Sequence, residues 1–156
     1  MKGDVWLAWS TDEEILRKAD YGGVVTSLLK FALEGKKVDA VLAVRAREDN
    51  RYDGIPVVLT DPADLAGTTG TLHCTSPNIA RCLTEYLDGA MASRIATVCK
   101  PWDSRAIIEL VKRKQINLDN LLLIGLNCTG TLSSVGAKEM LQKEFGVDPS
   151  DVVLSL

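Results

Sequence analysis

The sequence predicts a single α/β domain, spanning residues 1–156, in which a mainly parallel sheet carries helices on both faces. Its length of 156 residues is typical of one domain. Short apolar runs alternate with segments of helical periodicity, which indicates strands joined by helical crossovers. One run, Leu121 to Leu126, is aliphatic almost throughout, as expected of a parallel strand covered on both faces.

The first half of the chain predicts three strands and one helix. Val5 to Trp9 is a short apolar run that predicts the first strand. Gly23 to Glu34 repeats apolar residues with the period of a helix that buries one face. Val38 to Val44 predicts the next strand, and Pro56 to Thr60 predicts a further strand that proline confines to an edge or a start.

The second half alternates regularly. Ser76-Pro77 predicts a helix start, because serine caps free amides and proline suits the first turn. That helix runs to Leu87, and Arg94 to Cys99 predicts a strand. Asp103 or Ser104 is expected to start the following helix. The residues expected to face the core from the first of these helices are Ile79, Cys82, Leu83, Tyr86 and Leu87.

The chain ends with a predicted strand, helix and strand. After Leu121 to Leu126, Ser133 or Ser134 is expected to cap a helix. Val152 to Leu154 predicts the start of another strand. The inward residues expected for the helix are Val135, Ala137, Met140 and Leu141. Ligands of such sheets bind outside the carboxyl ends of the strands, so the loops that follow strands are the places to search.

Composition excludes several classes of partner. A net charge of −3 and a pI near 5.2 argue against nucleic acid and against anionic membrane surfaces. No apolar run approaches the roughly 18 residues of a membrane span, and the acidic start does not resemble a signal peptide. The four cysteines show no short paired spacing, so they are interpreted as thiols of a cytoplasmic protein.

The first candidate loop contains a pair of glycines at a helix start. Gly22 and Gly23 let the backbone approach a ligand, and the free amides of the helix favour an anion. Tyr21, Val24 and Thr26 are the other cofactor-binding candidates here. The alternative is a glycine turn that only starts a helix. Neither the Walker pattern nor G-x-G-x-x-G is present.

The second candidate loop combines small residues, hydroxyls and the only histidine. Its cofactor-binding candidates are Gly70, His73, Cys74, Thr75 and Ser76. His73 is also the candidate catalytic residue, although a lone histidine is more often a structural hydrogen-bonding group.

The third candidate loop follows the predicted strand that ends at Cys99. Its cofactor-binding candidates are Lys100, Pro101 and Asp103. Lys100 suits an anionic group, and Trp102 offers a flat surface for a ring. In the alternative, Asp103 only caps a helix and Trp102 covers its base.

The fourth candidate loop follows the aliphatic strand and contributes Asn127, Thr129 and Gly130. Cys128 in the same loop is the candidate metal ligand. Cys82 belongs to an apolar helix face, so only Cys74, Cys99 and Cys128 remain near one edge of the sheet. A four-iron cluster normally needs four thiolates, so a complete iron–sulfur cluster is not expected from this chain alone.

In this order and spacing the loops resemble one family, the FAD-containing β subunits of formate dehydrogenases and hydrogenases that use the deazaflavin coenzyme F-420 (F420). The resemblance is to the N-terminal portion of these subunits and covers almost the whole chain. The stretches that carry it are Ala8–Leu16, Tyr21–Thr26, Tyr52–Pro56, Leu72–Cys74, Lys100–Asp103, Gln115–Asn120 and Ile124–Cys128.

This resemblance implies a flavin-binding redox domain that exchanges hydride with F420 through FAD and works with other subunits of a redox complex. It implies that the glycine pair and Thr26 hold FAD phosphates. It also implies that the Gly70 to Ser76, Lys100 to Asp103 and Asn127 to Gly130 loops line the flavin or deazaflavin pocket.

The chain departs from the family at two points. Trp102 stands where the family usually has a cysteine, and the later, cysteine-rich half of the family is expected to be absent. These departures keep a second hypothesis open, a non-catalytic, truncated relative that serves as a subunit or scaffold of a redox complex. A small-molecule or nucleotide-binding module without a redox role is the third.

Overall fold

The structure is a computed structural model that describes residues 4–50 and 52–152. It contains five α-helices and four strands within those residues. The helices are α1 (Glu13–Lys18), α2 (Val24–Glu34), α3 (Ile79–Tyr86), α4 (Pro101–Lys112) and α5 (Ser134–Glu144). The strands are β1 (Ala40–Ala46), β2 (Gly54–Leu59), β3 (Ile95–Cys99) and β4 (Leu121–Gly125). Three 3-10 helices cover Pro62–Thr68, Asp88–Ala90 and Leu118–Asn120.

The strands form one sheet in the order β2-β1-β3-β4. β1, β3 and β4 are parallel to one another, with Ala40 beside Ile95 and Ile95 beside Leu121. β2 runs antiparallel to β1 and forms one edge, where Pro56 lies opposite Val44. The prediction of a mainly parallel sheet is confirmed, and so is the edge position of the strand that contains proline.

Each face of the sheet carries its own apolar cluster. Successive strand residues point to opposite faces, so Leu42 packs with α3 and α4 while the neighbouring Val41 packs with α2. Leu83 and Ile107 fill the first cluster, and Leu29 is in the second. The predicted arrangement of helices on both faces is therefore confirmed.

β4 differs from its prediction. The strand is present, but it lies at the edge of the sheet within the described residues, and its faces are not both covered. Leu122 is 41% exposed and Leu126 is 36% exposed. An aliphatic run identifies a strand, but it does not supply the neighbour that would bury it.

The predicted first strand, Val5 to Trp9, is wrong. Residues 4–10 have no regular secondary structure, and Val5, Trp6, Leu7 and Trp9 are exposed. The segment forms no ladder with any strand among the described residues. It is held instead at its end, where the Ser10 amide donates to the Gly22 carbonyl at 2.6 Å.

Two predicted helix starts are displaced. α3 begins at Ile79 rather than at Ser76-Pro77, because Asn78 supplies the cap through a bond from the Arg81 amide. α4 begins earlier than expected, at Pro101. Ser133 caps α5 as predicted.

Some side chains expected in the core are exposed. Tyr86 is 69% exposed at the end of α3, because it lies outside the face that Cys82 and Leu83 bury. Val135 and Met140 are also exposed, since α5 buries only Ala137 deeply.

The predicted strand at Val152 to Leu154 extends outside the described residues. Among the residues that are described, no helix is both long and apolar enough to cross a membrane.

Candidate functional site

A cavity of about 630 Å³ opens at the carboxyl ends of the parallel strands. Ala43 and Val44 of β1 and Val98 of β3 form its floor, and Leu126 follows β4 at its side. All four loops singled out in the sequence contribute to it. This is the position at which open α/β sheets bind ligands.

The start of α2 is the first wall of the cavity. Gly23, Val24, Val25 and Thr26 line it. No side chain caps α2, so the first amides of the helix have no protein acceptor among the described residues. In contrast α5, which has the same length of 11 residues, has the Ser133 hydroxyl as acceptor for the Gly136 amide at 3.0 Å.

The glycine pair is required by the protein's own packing. Gly22 and Gly23 both have left-handed backbone conformations, with φ of 74° and 68°. A Cβ added at Gly23 would lie 2.6 Å from Ile15 Cγ2. Part of the glycine signal therefore comes from the contact between α1 and α2, and only part concerns the approach of a ligand.

The second wall is the segment from Thr68 to Ser76. The Thr71 amide donates to Asp20 Oδ2 at 2.7 Å, which ties this loop to the glycine loop. The hydroxyl oxygen of Thr69 is buried without a hydrogen-bond partner in the described part of the chain. Buried polar atoms are nearly always satisfied in native proteins, so this oxygen is an exception beside the cavity.

Lys100 enters the cavity from the start of α4. Its Nζ donates to the Thr75 carbonyl at 3.4 Å and lies 5.4 Å from the centre of the Trp102 ring. Among residues 4–50 and 52–152 no carboxylate pairs with it. The cavity thus contains a cationic group that forms no salt bridge in the described part of the chain, although the Asp103 carboxylate lies in the same cavity.

Asp103 lies beside Lys100 and is only 5% exposed. Its Oδ2 accepts the Lys100 amide at 3.0 Å, so the carboxylate satisfies the start of α4. Burial raises the pKa of Asp103, while the amides of Lys100 and Ile79 and the Lys100 charge oppose that shift.

The loop after β4 completes the cavity. Asn127, Cys128, Thr129 and Gly130 all line it. The Cys128 thiol donates to the Gly130 carbonyl at 3.2 Å. The loop is open, since a Cβ added at Gly130 would meet no atom within 4 Å.

Most of the candidate site residues predicted from the sequence meet in this cavity. Those that line it are Tyr21, Gly23, Val24, Thr26, Gly70, His73, Thr75, Ser76, Lys100, Asp103, Asn127, Cys128, Thr129 and Gly130. Gly22, Cys74 and Pro101 are not among its lining residues. They lie next to residues that are, because each belongs to one of the same loops.

Sequence reasoning missed Asp20 and Thr69 as individual site residues. Asp20 precedes the glycine pair, and Thr69 belongs to a threonine-rich loop. Both residues therefore lie next to positions that the sequence did indicate as candidate site residues. Their roles depend on the contact between two loops 51 residues apart, which no local pattern reveals.

The cysteines do not converge. All four are free; Cys82 and Cys99 are buried, and Cys74 and Cys128 are partly exposed. Burial raises the pKa of the Cys74 and Cys82 thiols. In the described part of the chain, no three His, Cys, Asp or Glu side chains are grouped to hold a metal ion.

Comparison with protein families gives two adjacent matches. The family described as Coenzyme F420 hydrogenase/dehydrogenase, beta subunit N-term, matches residues 5–81. A companion family, which describes the C terminus of the same coenzyme F420 hydrogenase/dehydrogenase beta subunit, matches residues 92–154.

Two curated relatives are similar over nearly the whole chain. The F420-dependent formate dehydrogenase subunit beta of Methanocaldococcus jannaschii is 46% identical over 94% of this chain. The F420-dependent formate dehydrogenase 1 subunit beta of Methanococcus maripaludis is 44% identical over 98% of it. The matched region is 38% of each relative, so the chain spans about two fifths of their length.

A solved structure shares the fold. It is a chain of the F420-reducing [NiFe] hydrogenase complex from Methanosarcina barkeri, with a TM-score of 0.72 and 22% identity. The similarity covers 90% of this chain and 49% of the other.

Proposed function

Because this chain belongs to the beta-subunit family of coenzyme F420 hydrogenases and dehydrogenases, we propose that its cavity binds FAD. The chain would then be the flavin-binding redox part of a formate dehydrogenase or hydrogenase type of beta subunit. The observation that carries the proposal is that the uncapped start of α2 and the unpaired Lys100 line the same cavity.

The groups around the cavity fit a phosphate-bearing cofactor. Its volume of about 630 Å³ is within the range of cofactor sites. The free amides of α2 and the Lys100 ammonium favour anions, and the Thr69 hydroxyl has a hydrogen bond left to make. Apolar side chains, among them Val25, Leu29 and Val98, supply walls for a ring system.

The residues divide into two roles. The amides at the start of α2 and the hydroxyl of Thr26 bind phosphate oxygens, and Lys100 neutralises charge from the opposite wall. Asp103 holds the start of α4 in place through its bond from the Lys100 amide. The Asp20 bond to the Thr71 amide keeps the first two loops together around the ligand.

Bound FAD supplies the conversion between hydride transfer and single-electron transfer. The relatives are named as F420-dependent enzymes, and we extend F420 to this chain as the proposed substrate. His73 is exposed and lines the cavity, so its imidazole lies beside the proposed ligand. We retain it as the proposed catalytic residue.

The partners in this proposal are other subunits of a redox complex. Both relatives are named as subunits, and they are longer than the matched region. Iron–sulfur clusters would be held by such partners, and the complex would work in the cytoplasm.

The direct test is titration of the purified chain with FAD, followed by flavin fluorescence. We expect saturable binding, and we expect Lys100→Gln to weaken it about tenfold, or about 1.4 kcal/mol, because the charge opposite the phosphate is lost. Lys112→Gln is the matched control, since Lys112 is on the same helix, exposed and paired with Glu109.

Two results would reject the proposal. One is the absence of saturable binding at about 50 μM FAD. The other is equal affinity of the wild type, Lys100→Gln and Lys112→Gln proteins. Failure of the isolated chain to bind FAD, together with specific association with redox subunits, would favour the non-catalytic scaffold, to which Trp102 also points.

A further inference from the structure

The Trp102 ring lies beside the ammonium of Lys100, the group that the proposed function sets opposite the phosphate of the ligand. Lys100 Nζ is 5.4 Å from the centre of the ring. Trp102 is 37% exposed and is not among the residues that line the cavity, whereas Lys100 is. The ring therefore faces the lysine and not the space in which a ligand would lie.

Lys100 has a carboxylate neighbour with which it does not pair. Asp103 is buried and lines the same cavity. An ammonium and a buried carboxylate in one cavity attract each other. Within the described part of the chain, however, the two side chains form no salt bridge. Asp103 Oδ2 accepts the backbone amide of Lys100 at 3.0 Å instead. Other groups must therefore fix the position of the ammonium.

The Thr75 carbonyl and the Trp102 ring are the groups that do so. Lys100 Nζ donates to the Thr75 carbonyl oxygen at 3.4 Å. The face of an indole ring attracts a cation that lies within roughly 6 Å of the ring centre. An ammonium has three N–H donors, so the carbonyl uses one of them and the ring attracts the charge. At least one donor remains for an anionic ligand.

The start of α4 makes the ring a firm support. Pro101 and Trp102 are the first two residues of the helix, and the proline ring fixes the backbone angle φ of its residue. Asp103 ties the preceding turn to the helix through its bond from the Lys100 amide. A tryptophan side chain has only two rotatable bonds, whereas the lysine side chain is long and flexible. The less mobile side chain thus orders the more mobile one.

We propose that Trp102 is a positioning residue, whose ring holds the Lys100 ammonium at the cavity wall, away from Asp103 and ready for an anionic group. The inference rests on the proposed function for the identity of that ligand, FAD. A lysine that is ordered before the ligand arrives loses less conformational freedom on binding. Without the ring, the ammonium would turn toward the Asp103 carboxylate and would be less available to a phosphate.

The first test needs no ligand. It is the carbon–proton NMR spectrum of the lysine ε-methylene groups, in which Lys100→Gln identifies the Lys100 signal by its loss. The ring current of Trp102 should move these protons of Lys100 upfield. Trp102→Leu should abolish that displacement, and Trp102→Phe should keep part of it. A Lys100 signal that does not respond to Trp102→Leu would overturn the proposal, whether or not the chain binds FAD.

The second test is FAD titration followed by flavin fluorescence. Trp102→Leu should weaken binding about threefold, as expected for the loss of one partly exposed cation–π contact, and Trp102→Phe should restore most of the affinity. In the Lys100→Gln background, Trp102→Leu should have no further effect, because the ring acts through the ammonium. An equal loss in both backgrounds would overturn the proposal. Absence of FAD binding by the wild type would reject the proposed function, and the NMR signal of Lys100 would then decide the role of Trp102.

Phe31→Leu is the matched control. Lys37 Nζ lies 5.5 Å from the centre of the Phe31 ring, and neither of these residues lines the cavity. The pair therefore has the same geometry as Lys100 and Trp102 but no access to the ligand. Phe31→Leu should leave the affinity for FAD unchanged. If it weakened binding as much as Trp102→Leu does, the effect would not be specific to Lys100 and the proposal would fail.

Discussion

The two ends of the parallel strands differ in whether their polar groups have partners within the protein. At the amino ends, Asp39 and Arg94 form two side-chain bonds, of 2.7 and 3.2 Å, and Asp39 also accepts the Arg94 amide at 2.8 Å. At the carboxyl ends, the start of α2 is uncapped, Thr69 Oγ1 has no partner in the described residues, and no carboxylate there pairs with Lys100. Charges at one end are satisfied internally, whereas the other end keeps polar groups without protein partners in the described residues, which is where we propose that the cofactor binds.

Gly23→Val, a substitution at the carboxyl ends of the strands, should have the largest effect on the stability of the protein. A valine there would be strained at positive φ and would press on Ile15, so we expect unfolding free energy to fall by about 3 kcal/mol. Urea unfolding measures it. Gly146→Val is the matched control, because Gly146 also has positive φ but open space, and it should cost about 1 kcal/mol. Equal losses would mean that the contact with Ile15 is unimportant.

Thr69→Val should separate stability from binding. If the Thr69 hydroxyl is reserved for the ligand, its removal should raise the unfolding free energy of the free protein by about 1 kcal/mol and weaken FAD binding. Urea unfolding and flavin titration give the two values. Thr84→Val is the control, because the Thr84 hydroxyl donates to the Arg81 carbonyl at 3.0 Å. A loss of stability in Thr69→Val would contradict the unsatisfied hydroxyl.

Asp39→Asn should have the smallest effect, and one that depends on pH. Hydrogen bonds from Arg94 lower the pKa of Asp39 to about 2. A lowered folded-state pKa stabilises the protein above the unfolded value of 3.8, and this stabilisation is lost as the pH falls toward 2. The difference in urea midpoint between wild type and variant should therefore be present at pH 6 and shrink on acidification. A difference in urea midpoint that does not change with pH would mean that packing, and not the charge of Asp39, causes the effect.

The sequence was sufficient for the order of the elements from residue 24 onward, because helical and strand periodicities differ strongly. It also identified the loops of the cavity, since the carboxyl ends of parallel strands converge. It failed where structure depends on a partner. Val5 to Trp9 has the composition of a strand but pairs with no described strand, and β4 has the composition of a buried strand but lies at an edge of the sheet within the described residues.

Individual side chains of the site were less predictable than its loops. Thr69 is distinguished from neighbouring threonines only by the burial of its oxygen. The glycine pair was recognised, but its contact with Ile15 requires knowledge of how α1 packs. Such facts arise from contacts between distant segments and have no local signature.

The central claim is that the uncapped start of α2 holds the phosphate of a bound cofactor. The most direct measurement is the amide nitrogen–proton NMR spectrum of the chain during FAD titration. The amides of Val24, Val25 and Thr26 should shift strongly, while those of Val135, Gly136 and Ala137, behind the Ser133 cap of α5, should stay in place. Shifts at α5 without shifts at α2 would contradict the account.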